Sequence, residues 1–110
     1  MNIDDLINSV EEIELRDNLK HWVCAWKSDE SDINNLYELV AKWHGNVLFK
    51  EKSKQNEFWE YLQSFKKVAI NGLGGMTLNE RLYLFGLFEE WEASSDIGQR
   101  RIRNKLHAPA

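Results

Sequence analysis

Apolar residues recur along this chain at helical spacing, in stretches divided by polar breaks. Ile3, Leu6, Ile7, Val10 and Ile13 follow a three- and four-residue rhythm that places them on one helix face. Asp4 and Asp5 fall in its first turn, where the positive end of the helix dipole favours acids. Leu15, Leu19, Trp22, Val23 and Trp26 continue the stripe after a phase shift near Glu14, so this region reads as one kinked helix or two short ones. Ser28-Asp29-Glu30-Ser31-Asp32 is a polar break, and Ser31 or Asp32 is the expected N-cap of the next helix. That helix carries Ile33, Leu36, Tyr37, Val40 and Trp43, with Gly45 as its stop. Val47-Leu48-Phe49 is too short for periodicity to assign; a single helical turn is expected, with a short strand as the alternative. Phe58, Tyr61, Leu62 and Phe65 form a further stripe running on toward Val68 and Ile70. The glycine-rich Asn71-Gly72-Leu73-Gly74-Gly75 is a loop by composition.

The best-marked boundary follows. Thr77-Leu78-Asn79-Glu80 fits a capping box, in which threonine hydroxyl and glutamate carboxylate each take the other's backbone amide. Leu78, Leu82, Phe85, Phe88 and Trp91 form one stripe, and Leu84, Leu87 and Trp91 a second. The pattern predicts a long central helix from Thr77 to Ala93. Gly86 would sit mid-helix, where glycine costs about 1 kcal/mol against alanine and signals close approach by another helix. Ser94, Ser95 and Asp96 offer a new N-cap. A short last helix follows, with Ile97, Ile102 and Leu106 facing inward and Pro109 beyond its end. The expected architecture is all-α: a compact bundle of five or six helices, one domain over residues 1–110.

Composition narrows the class. Hydrophobic content of 43% is enough to build a core. The lone Cys24 excludes an internal disulfide and suits a reducing compartment. The N-terminal MNIDDLINSV has acids where a secretion signal is basic. No apolar run reaches the roughly 18 residues of a membrane helix. A cytoplasmic location without membrane contact is therefore expected. Net charge is −4 but uneven. Residues 1–38 hold ten acids and three bases, whereas residues 97–110 hold Arg100, Arg101, Arg103 and Lys105 and no acid. The acidic front half would repel nucleic acid and attract a basic partner.

Catalytic chemistry finds little support. His21 and Cys24, with His44, fall short of the ligand spacing of a zinc site, and no metal or cofactor is expected. Gly72, Gly74 and Gly75 precede a helix N-terminus, but without the residues of a phosphate-binding loop; a chain-reversing connector is the simpler reading. Glu89, Glu90 and Glu92 read as solvated helix surface. No nucleophile, histidine and acid converge, so the chain is read as a non-enzyme. Five tryptophans are the least ordinary feature. Trp22, Trp43 and Trp91 fall on core stripes, while Trp26 reaches the acidic 28–32 break and is either a core residue or an exposed contact residue.

The string TLNERLYLFGLFEEWEA, Thr77 to Ala93, followed by a short Arg-bearing helix, resembles a group of small bacterial helical proteins. Their shared signature is Thr-(Leu/Val)-Asn-Glu-Arg-Leu, then Gly-Leu, then Glu-(Phe/Trp) and Ala. Some of these are immunity proteins of contact-dependent growth inhibition systems, including an all-helical type paired with EndoU-like RNase toxins. The resemblance implies a scaffold rather than a catalytic motif, with Asn79, Glu80 and Arg81 opening the helix and Gly86 and Leu87 packing it. It also implies a partner: the toxic C-terminal domain of a neighbour's toxin, a basic nuclease that must itself bind phosphate. On that reading Glu11, Glu12, Glu14, Asp17, Asp29, Glu30 and Asp32 occupy the places of phosphates in the toxin cleft, and Trp26 anchors the contact. The alternative is a small nucleic-acid-binding regulator using Arg100, Arg101, Arg103 and Lys105.

Overall fold

The computed structural model describes residues 1–108; Pro109 lies outside the described residues. The fold is all-α. The helices are α1 (Ile3–Asn8), α2 (Ile13–Ser28), α3 (Ile33–Asn46), α4 (Lys52–Phe65), α5 (Leu78–Leu84), α6 (Phe88–Ala93) and α7 (Asp96–Lys105). A π-helical turn, Lys66–Ile70, extends α4, and a 3-10 turn, Leu73–Gly75, precedes α5. No described helix is long and apolar enough to cross a membrane.

Side-chain caps set three of the seven α-helix starts among the described residues. Asn2 caps α1 in a reciprocal box with Asp5. Asp32 rather than Ser31 caps α3, accepting from the amides of Asn34 and Asn35 at 3.0 and 3.2 Å. The expected box at α5 forms: Glu80 N donates to Thr77 Oγ1 at 3.2 Å and Thr77 N to Glu80 Oε1 at 3.4 Å. Each satisfies backbone donors that the first helical turn leaves without partners.

Of the two readings of residues 3–26, two helices is the observed one, divided between Asn8 and Ile13. Val47-Leu48-Phe49 corrects the expected helical turn: it is an irregular link leaving α3 through extended backbone at Val47, with Phe49 buried and Leu48 exposed. Ala69 continues the three- and four-residue spacing of Phe58, Leu62 and Phe65 and is buried, while Val68 is exposed. Ile97, expected to face inward, is 79% exposed, because only the Ile102 and Leu106 end of α7 reaches the core.

The largest correction concerns the expected helix from Thr77 to Ala93. It breaks at Phe85-Gly86-Leu87, which raises the count to seven α-helices among the described residues. Gly86 has φ +64°, a left-handed conformation that ends α5 and turns the chain into α6. The expected close approach is also present: a Cβ here would lie 2.8 Å from Asp4 Oδ2, 3.0 Å from Lys27 Nζ and 3.2 Å from Ile3 Cγ2. A mid-helix glycine would gain stability on conversion to alanine, whereas this one will lose it. Gly86→Ala should destabilise by about 2 kcal/mol, since the backbone penalty adds to displacement of the Asp4–Lys27 pair. An unchanged or raised urea midpoint would restore the continuous helix.

One apolar cluster links the elements, from Ile3 and Leu6 through Leu19, Trp26, Leu36 and Leu62 to Phe85, Leu87, Ile102 and Leu106. α3 packs between α2 and α4, and α1 touches both α2 and α4. This arrangement leaves the outer side of α3 as a crest bordered by two grooves.

Candidate functional site

The eight residues expected to meet a partner occupy three separate places. Glu11 and Glu12 lie before α2 and face α4. Glu12 Oε2 accepts from the Lys50 amide at 3.0 Å, and Glu11 pairs with Lys54 at 3.4 Å. The hydrogen bond and charge of Glu11, with Glu57 beside it, raise the pKa of Lys54. Glu57 in turn accepts from the Tyr61 hydroxyl at 2.6 Å, which raises the pKa of that phenol. These groups rim a cleft of about 110 Å³ floored by Phe49 and Phe58. Glu14 and Asp17 stand on the solvent face of α2 and make no ion pair or side-chain hydrogen bond among the described residues. Asp29, Glu30 and Asp32 lie past the other end of α2, about 25 Å along its axis from Glu12. The eight therefore do not form a single patch.

The third group also needs correction in role. Asp29 and Asp32 hold the end of α7. Lys105 Nζ donates to Asp29 Oδ1 at 2.9 Å and to the Ser31 carbonyl at 2.5 Å. Asp29 Oδ1 also accepts from the Ser31 amide at 2.9 Å. Asp32, besides capping α3, meets His107 Nε2 at 2.8 Å. Arg101 donates to the carbonyls of Lys27 and Asp29 at 3.2 and 3.1 Å, covering the C-terminal end of α2. Trp26 is no exposed anchor. Its side chain is wholly buried, its Nε1 donates to the Asp32 carbonyl at 2.8 Å, and Lys105 Nζ lies 4.3 Å from the ring centre. Only Glu30 of this group has a carboxylate free of hydrogen bonds among the described residues, and its charge acts on Lys105.

The titration of this latch has a defined sign. Partial burial pushes Asp29 upward, but hydrogen bonds from Ser31 and Lys105 outweigh it and hold the carboxyl below its ordinary 3.8. At Asp32 desolvation is likewise outweighed, by His107 and the amides of Asn35 and Asn34. Their folded values lie below their unfolded ones, so their stabilisation is present above about pH 4 and lost as pH falls through the depressed values. Burial pulls Lys105 below 10.5 despite Asp29. Its contribution therefore has the opposite origin: stability rises as pH climbs from that lowered value toward 10.5. The double variant Asp29→Asn/Asp32→Asn should be less stable than the native chain at pH 7 and should lose less between pH 5 and pH 2. Parallel urea midpoints across that range would remove these carboxylates from the acid limb.

The basic cluster is largely part of this packing. Lys105 is buried, Arg101 caps α2, and the Arg103 guanidinium lies 5.3 Å from the centre of the Trp91 ring. Arg100 is the exposed member. At the glycine-rich stretch, the Leu73 carbonyl accepts from Arg81, and the capping box takes the amides of Thr77 and Glu80. Among the described residues no three histidine, cysteine, aspartate or glutamate side chains converge as a metal cluster.

A different surface stands out. Trp22, assigned above to the core stripe, is 47% exposed, and Trp59 is 40% exposed. Trp22 borders the α2–α3 groove of about 620 Å³, with Leu39, Lys42, Trp43 and Val47. The floor is fixed by Trp43 Nε1, which donates to Asn18 Oδ1 at 2.9 Å. Trp59 borders the shallower α3–α4 groove with Ala41, His44, Asn56 and Glu60. The His44 ring stacks on Phe58 and lies 5.2 Å from Trp59 between centres, while its Nε2 donates to the Gln55 carbonyl at 2.8 Å. Helical phase was the available signal for Trp22. Leu19, Val23 and Trp26 are the buried residues of α2, and Trp22 falls about 70° from the centre of their arc, outside it.

Compared with known proteins, the chain matches no family model, no curated protein and no solved structure.

Proposed function

We propose that this chain is an immunity protein: a non-catalytic inhibitor that binds the toxic C-terminal domain of a contact-dependent growth inhibition toxin and covers its nucleic-acid cleft. The observation that carries this reading is electrostatic. Within an acidic front half, Glu14 and Asp17 stand in solvent on one helix with no internal partner among the described residues. A nuclease domain presents the matching positive charge. The Thr77–Ala93 resemblance points to the same class. The nucleic-acid-binding alternative is weaker, because Lys105 and Arg101 serve intramolecular contacts.

The direct test uses the C-terminal domain encoded by the reading frame immediately upstream. That domain should arrest growth when expressed alone, and this chain should restore growth with a sub-nanomolar Kd, about −12 kcal/mol or better. Glu14→Lys/Asp17→Lys should slow association and flatten its salt dependence without changing the melting temperature. Failure to bind or to protect would end the immunity reading.

A further inference from the structure

We infer that α7 is a strap, clipped to the α2–α3 turn by its cations, that opens as a unit while the bundle of α1 to α4 stays folded. Opening concerns this chain alone and needs no partner.

The attachment of α7 differs from that of the central helices. α3 lies against α2, α4 and the π-helical turn, whereas α7 packs most closely on α6. Of the buried apolar side chains only Ile102 and Leu106 come from α7 and its cap, and Ile97 stays in water. Its hold on the α2–α3 turn is made instead by long cations. Arg101 meets the Lys27 and Asp29 carbonyls, Lys105 meets Asp29, the Ser31 carbonyl and the Trp26 ring, and His107 meets Asp32. Burial disfavours the Lys105 ammonium, so it stays in place only while its oxygen partners meet it together. Just beyond the helix His107 has φ +55°, a left-handed conformation that costs a histidine more than a glycine. It is fixed from two sides, by Arg81 at its carbonyl and Asp32 at its ring, and losing either contact removes the compensation. The other end is built as a hinge. α7 leaves α6 through extended backbone at Ser94 and Ser95, and no side chain caps its first turn. A ten-residue helix is too short to persist in water without packing. Once released it therefore melts along its whole length, and its amides open together. Elements with few buried apolar contacts are the ones that open below the free energy of global unfolding. Release uncovers the Trp26 ring beneath Lys105 and leaves Asp29 and Asp32 without their cationic partners.

Native-state hydrogen exchange of the full chain in low urea tests this. After correction for intrinsic rates, the amides of Arg101 to Leu106 should exchange at least about 30-fold faster than the slowest amides of α3 and α4. They should share one opening constant and show a smaller urea dependence, because less surface is exposed. A single rate and a single urea slope for all three helices would overturn the strap, since α7 would then open only with the whole chain. Two variants separate the causes. Phe58 lies among Trp43, Phe49 and His44, outside every contact of α7 named above. Phe58→Leu should speed the slowest α3 and α4 amides about tenfold and leave those of α7 within about twofold, because releasing α7 breaks none of its contacts. A parallel rise in α7 would contradict a separate opening. Asp29→Asn should speed the α7 amides at least about fivefold, since it removes the charge opposite the buried ammonium. Unchanged α7 exchange in that variant would overturn the cationic clip.

Discussion

Arg81→Ala will lower stability by about 4 kcal/mol, although the side chain touches no carboxylate and lies in no expected binding surface. Arg81 is 6% exposed and its guanidinium donates only to backbone carbonyls. Nε reaches Met76 at 3.2 Å, one terminal nitrogen reaches Leu106 at 3.1 Å and His107 at 2.8 Å, and the other reaches Leu73 at 3.1 Å. Leu106 and His107 follow α7, whose last carbonyls carry the negative end of the helix dipole. The one side chain thus ties α5 to the 3-10 turn and to the end of α7. Each buried carbonyl left without a donor costs about 1–3 kcal/mol, and water entering the vacated space recovers part of the sum. For a chain near 100 residues, about 4 kcal/mol corresponds to a melting shift of roughly 15–30 °C. Arg81→Lys should rescue only part of it, because one ammonium cannot reproduce the planar fork. The exposed Arg100→Ala serves as control and should stay within about 0.5 kcal/mol. An Arg81→Ala melt within a few degrees of native would mean that these carbonyls find other partners.

Arg81 also shows where the sequence stops being legible. The capping box is legible because both partners lie within four residues, and Arg81 stands in the first half of that helix. Its partners at Leu106 and His107 are 25 and 26 residues downstream. No local pattern records which carbonyls a fold leaves without donors. The same limit applies to the acidic turn. Asp29 and Asp32 read as surface charge because Lys105 and His107 meet them only after α7 folds back across more than seventy residues. Gly86 shows a different limit: the expected close approach is present, but a glycine in an apolar helical pattern fits a left-handed stop equally well, and here it is both. Helix existence and type, by contrast, followed from periodicity, since amphipathic spacing is fixed within each element and needs no tertiary information.

Trp26→Ala will destabilise by about 4 kcal/mol, while Trp22→Ala, four residues away on the same helix, will stay within about 1 kcal/mol. The contrast follows from where each ring lies. Trp26 has no exposed surface, packs 6.1 Å from Phe85 between ring centres, and donates to the Asp32 carbonyl. Its removal opens a large cavity, leaves that carbonyl without its donor, and takes away the aromatic face beneath the buried Lys105 ammonium. Trp26→Phe should recover much of the packing and not the hydrogen bond, placing it between native and alanine. The two substitutions also separate stability from binding. Trp22→Ala should keep an intact fold, whereas any effect of Trp26→Ala on partner affinity should track the fraction unfolded. If Trp26→Ala kept a native melt and still lost the partner, Trp26 would be a contact residue after all, and the buried latch around Lys105 would have to open on binding.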